Sequence, residues 1–87
     1  MSDLPVLVKR FGEKLAELDQ LIWPQTEQGA AAFLDNLVAA EKAVVKTGAA
    51  YELRLAGVRA SCTSGRYGLI CNWHRAAGRA IAKASFR

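Results

Sequence analysis

Leu4, Val8, Phe11, Leu15, Leu18 and Ile22 follow one another at intervals of 4, 3, 4, 3 and 4 residues, which sets all six on one stripe of an α-helix. Such a stripe must be buried, so the start of the chain predicts a helix packed against a core. Ser2 or Asp3 is placed to cap it, Pro5 is tolerated in its first turn, and Pro24 after Trp23 stops it. The spacing resembles a coiled-coil seam, but about two and a half heptads favour ordinary bundle packing.

Thr26 follows the proline break and can cap a second helix, with Glu27 near the positive end of its dipole. The apolar face reads Phe33, Leu37, Ala40 and Val44, and the register continues through Tyr51, Leu55 and Val58. One long helix is therefore expected to run to about Gly57, kinked at Gly48; the alternative is a helical hairpin with Gly48 as its left-handed cap. Residues 59–66 are dense in small polar side chains and read as a connecting loop. Thr63 or Ser64 then caps a third helix whose inner face carries Ile70, Trp73, Ala77, Ile81 and Ala84. No segment alternates as a strand over more than a few residues. The expectation is an all-α fold, a single three-helix domain over residues 1–87 with a long kinked central helix.

At 87 residues and 9.4 kDa the chain is too short for two domains, and its core is thin enough that a second subunit would help to complete it. A homodimer joined through the Leu4 to Ile22 stripe or the second helix is expected. The Met-Ser-Asp-Leu-Pro start lacks the features of a secretory signal, and no apolar run approaches the roughly 20 residues of a membrane span. A cytoplasmic protein with no membrane partner is the expectation.

Charge is segregated. Residues 1–52 hold five basic groups against eight acidic ones, a net of −3, whereas residues 53–87 hold seven basic groups and no acid, a net of +7. Arg75, Arg79, Lys83 and Arg87 recur every four residues and form a basic ridge on the third helix. A ridge of this kind suits a protein or nucleic-acid surface of opposite charge, and its plainer reading is a solvated face steadied by the helix dipole. Trp73 falls where the apolar face meets the ridge, a position suited to an interface anchor. The candidate partner-binding residues are thus Arg66, Trp73, Arg75, Arg79 and Lys83.

Thr63, Ser64 and Gly65 run into the third helix, where free backbone N–H groups could hold an anion, although the Walker spacing is absent and simple capping is the plainer reading. Cys62, Cys71 and His74 match no common zinc pattern, and nothing supplies an oxyanion site or an orienting group for a Cys71/His74 pair. No cofactor, metal or catalytic residue is expected.

Leu55-Ala-Gly-Val-Arg-Ala-Ser-Cys-Thr-Ser-Gly65, then Gly68-Leu-Ile-Cys-Asn-Trp73 followed by Arg75 and Arg79, resembles the ends of short accessory proteins of temperate and transposable phages of proteobacteria. The resemblance lies in the C-terminal third. It implies a cytoplasmic phage or prophage product of a class whose members modulate a host or defence complex by direct binding, and it carries no functional residues over. The function expected is a non-enzymatic protein-interaction module that contacts a host protein or nucleoprotein complex through the basic C-terminal helix. Nucleic-acid binding by the same ridge is the alternative, and a third possibility pairs the ridge with Glu13 and Glu17 of a neighbouring subunit.

Overall fold

Leu53 and Leu55 alternate with Glu52 and Arg54, and Val58, Ala60 and Cys62 alternate with Arg59 and Ser61. A period of two puts each set of apolar residues on one face of a strand. In the computed structural model, which describes residues 4–85, these segments are strands and not a helical extension. The order is α1 (Leu4–Leu18), α2 (Gln25–Glu41), β1 (Val44–Lys46), β2 (Tyr51–Leu55), β3 (Val58–Cys62) and α3 (Arg66–Ser85). The three strands form an antiparallel sheet in the order β1-β2-β3.

The all-α expectation is therefore wrong, and so is the long kinked central helix. The cause is local. Lys42 adopts a left-handed conformation at φ 57°, and its own N–H and that of Ala43 both turn back to the carbonyl of Leu37, which closes α2. Val44 and Val45, β-branched, then start the sheet. Leu55 pairs with Val58, leaving Ala56 and Gly57 as a two-residue hairpin turn. Both have positive φ, 54° and 79°, as a type I′ turn requires. The segment 59–66, expected to be a loop, supplies β3 instead.

The sheet is apolar on one face and, apart from Val44, polar on the other. Val45, Leu53 and Ala60 lie side by side on the inner face, flanked by Leu55 beside Val58 and Tyr51 beside Cys62. Lys46 lies opposite Glu52 on the outer face, where Arg54 lies opposite Arg59. The helices cover the inner face, and α3 touches both other helices, β2 and β3.

Leu7, Phe11, Leu18, Phe33, Leu34, Leu37, Leu53, Leu69, Ile70, Trp73 and Ala77 are buried in one core. Phe11 stands at its centre, with its ring 4.9 Å from Phe33 edge-on and 4.3 Å from Trp73. Each such aromatic contributes roughly 2–3 kcal/mol by burial. Of the predicted inner face of the third helix, Ile70, Trp73 and Ala77 are buried, joined by Leu69, Ile81 is half-buried, and the side chain of Ala84 lies outside the described residues. The α1 stripe is used within the chain, since Phe11 and Leu18 are buried and Leu4, Val8 and Leu15 pack against the core. It is not left over for a second subunit.

Ile22 falls outside α1. The helix stops at Leu18, and the chain winds through turns closed by Gln20 N–H to Glu17 O and Leu21 N–H to Leu18 O. Ser2 and Asp3, the expected caps, and Arg87 lie outside the described residues. Thr26 does not cap α2, which begins one residue earlier; its hydroxyl donates to Leu21 O at 3.1 Å.

Candidate functional site

β3 and α3 lie alongside each other, and side chains of the helix reach the strand's backbone. Asn72 Nδ2 donates to Ser61 O at 2.8 Å and Trp73 Nε1 to Val58 O at 3.1 Å. Beside these contacts runs an open groove of about 330 Å³ lined by Arg59, Ser61 and Ala60 of the strand and by Asn72, Arg75, Ala76 and Arg79 of the helix. The helical residues share a face because they are three, four and seven positions apart. The alanines line it with short side chains, leaving room between strand and helix.

Three guanidiniums border this groove. Arg59, Arg75 and Arg79 are exposed, as is Lys83 one turn further along α3. Ion pairs among the described residues join Arg10 to Glu41, Lys14 to Glu17, Arg54 to Glu52 and Arg66 to Glu27, and none takes up the groove arginines. The segregation of charge along the chain explains this, because no acid occurs after Glu52. Three planar groups of five N–H donors, with the amide of Asn72 beside them, suit carboxylate or phosphate oxygens.

The structure divides the residues singled out from sequence. Arg75 and Arg79 line the groove, and Lys83 is exposed one turn further along α3, outside the groove lining. Trp73 is not at the surface: it is fully buried, and its indole N–H is satisfied by Val58. Arg66 is also elsewhere, 3.5 Å from Glu27 and over the ring of Tyr51 at 5.2 Å. Arg59, Ser61 and Asn72 were not anticipated. Arg59 and Ser61 belong to a segment whose small polar side chains predict a loop, and only the alternation of Val58, Ala60 and Cys62 marks them as one face of a strand.

The segment Thr63-Ser64-Gly65 does precede a helix N-terminus that holds an anion, but the anion is internal. Glu27 of α2 accepts the N–H groups of Arg66 at 2.7 Å and Tyr67 at 3.0 Å. Gly65 makes room for it: its φ is +135°, and a β-carbon there would stand 3.0 Å from a Glu27 carboxylate oxygen. The expectation of an external ligand at Thr63, Ser64 and Gly65 is thus replaced by a tertiary cap.

Cys62 and Cys71 are free thiols, each half-buried. The Ser64 hydroxyl lies 3.1 Å from Cys62 Sγ and the Ser64 N–H donates to it, and the side-chain hydrogen bond holds this thiol below its ordinary pKa. Burial pushes the Cys71 thiol up. Among the described residues no three His, Cys, Asp or Glu side chains gather as metal ligands would, and no helix is long and apolar enough to cross a membrane.

A second exposed feature is apolar. Leu21, Ile22 and Trp23 in the α1–α2 connection are 41, 74 and 69 % exposed. Trp23 is therefore no core anchor. Comparison with known families, with curated proteins and with solved structures finds no match to this chain.

Proposed function

We propose that this protein is a non-enzymatic binding module that receives an acidic surface of a partner protein on Arg59, Arg75, Arg79 and Lys83. The observation that carries the reading is the convergence of three arginines, without ion-pair partners among the described residues, on a groove with short alanine side chains. Exposed cations scattered on a surface contribute little to recognition, whereas guanidiniums set along a recess can engage carboxylates two N–H groups at a time. The residues lining the groove include no aromatic ring on which an unpaired base could stack, which favours an acidic protein over a single-stranded nucleic acid. The phage-protein resemblance of the C-terminal third supports a host protein or a component of a host or defence complex as that partner.

The test is affinity capture from bacterial lysate, with nuclease, by the wild type and by an R75E/R79E variant whose fold is checked by circular dichroism. Capture of a defined protein by the wild type and its loss in the variant supports the reading. Equal capture by both overturns the surface assignment, and recovery of nucleic acid alone, with affinity falling steeply as salt rises, transfers the surface to the alternative ligand.

A further inference from the structure

The groove has a second property besides its charge. β3 is an edge strand, since the sheet order leaves it with β2 on one side only. Leu55 and Val58 close a two-residue hairpin and form its hydrogen-bonded pair, so the alternation of an antiparallel ladder turns the backbone groups of Arg59 and Ser61 away from β2. The bond from Asn72 to Ser61 O, made from outside the sheet, agrees with this orientation. The N–H and C=O of Arg59 and the N–H of Ser61 therefore face the same side as the arginine-lined groove.

We infer that an extended acidic segment of the partner adds along the open part of the β3 edge as a fourth strand, lying over the groove on the outer side of the β3–α3 junction with alternate carboxylates on Arg75 and Arg79. The inference rests on the reading of those arginines as a carboxylate-binding surface and adds how the partner is held. Two arguments select this occupant. Edge strands are commonly blunted by charge, and here the charge is of one sign, so the edge repels basic strands and admits acidic ones. The spacing also agrees. Side chains two apart on one face of a strand are separated by about 6.6–6.8 Å, and helix positions four apart by about 6 Å along the axis. An Asp/Glu–X–Asp/Glu pattern thus meets Arg75 and Arg79 in step, while Ala60 and Ala76 leave room for the added backbone. Strand addition of this kind takes affinity from main-chain hydrogen bonds and specificity from alternate side chains.

The experiment uses the full chain and a fluorescein-labelled peptide Thr-Glu-Val-Glu-Thr, read by anisotropy, with three peptide controls. One has the same residues with the glutamates adjacent, and two are N-methylated on alternate amides in opposite phase. The parent peptide is expected to bind, the adjacent-glutamate peptide to bind about tenfold more weakly, and only one N-methylated phase to lose binding, by about fivefold to tenfold for the one N–H that Arg59 O would accept. A Ser61→Pro variant, which removes an outward N–H from an edge where proline is tolerated, is expected to weaken the parent peptide while its melting temperature stays close to wild type. Equal binding of both methylated phases overturns strand addition. If R75E/R79E still abolishes binding in that case, the charge-based reading survives. If no peptide binds, strand addition fails, and R75E/R79E capturing the same lysate protein as the wild type then removes the underlying reading too. Displacement of the parent peptide by a twenty-base-pair duplex at physiological salt overturns the proposal in favour of nucleic acid.

Discussion

Glu27 and Arg66 are joined twice: the carboxylate of Glu27 accepts the backbone N–H of Arg66 at 2.7 Å and lies 3.5 Å from its guanidinium. The two residues come from the start of α2 and the start of α3, on opposite sides of the sheet in sequence. A cap that is normally made by a neighbouring side chain is made here across the fold, at the point where α3 leaves β3.

Replacing Glu27 with alanine therefore strips the α3 N-terminus of its acceptor and leaves two N–H groups half-buried. A loss of about 2–3 kcal/mol in urea unfolding is expected, with Glu27→Gln recovering part of it because the amide oxygen can still accept. An unchanged midpoint for Glu27→Ala would refute the cap.

The hairpin turn offers the opposite change. Ala56 sits at φ 54°, a conformation that costs an L-residue with a β-carbon about 1–2 kcal/mol. Ala56→Gly or Ala56→Asn is expected to raise stability by about 0.5–1 kcal/mol, read from the thermal midpoint.

Leu53 discriminates strand from helix. Fully buried between Val45 and Ala60, it would have lain off the apolar face of the expected long helix. Leu53→Ala should cost about 2–4 kcal/mol, whereas Val44→Ala, at a half-exposed position on the outer face, should cost well under about 1 kcal/mol. Similar costs at the two sites would speak against the sheet.

The two thiols should differ in reactivity. Because the thiolate is the nucleophile and the Ser64 contact lowers the Cys62 pKa, Cys62 is expected to react with iodoacetamide at lower pH than Cys71, whose thiol burial pushes up. Ser64→Ala should move the Cys62 profile to higher pH. The same shift has a sign for stability: an acid with a depressed folded-state pKa adds stability above the unfolded thiol's pKa of about 8.5, and the gain disappears as pH falls through the folded value. The Ser64→Ala variant should thus lose more stability at alkaline than at neutral pH. Peptide mapping at a series of pH values decides the order.

The helices were legible because an apolar stripe at 3.6-residue spacing has few other uses, and α1 and α3 show it. The sheet was not, because Tyr51, Leu55 and Val58 satisfy a helical register and a hairpin equally well: all three point inward in the strands too. Leu53, with Ala56-Gly57 as a turn signal, was the residue that broke the tie. Charge segregation was readable along the chain and located Arg75, Arg79 and Lys83 on one helix face. It could not bring Arg59 to them, since that juxtaposition depends on a strand pairing across the turn. Nor could it separate Trp73 from the surface, because a tryptophan beside arginines reads alike as an anchor or as core until its neighbours Phe11 and Val58 are known.

The two tryptophans end in opposite surroundings, one sealed against Phe11 and the other 69 % exposed in the α1–α2 connection. The molecule therefore carries two intrinsic optical probes with separate meanings. Emission from Trp73 shifts to the red only when the core opens. Emission from Trp23 shifts to the blue when something covers the loop, so a single spectrum distinguishes loss of the fold from arrival of a partner there.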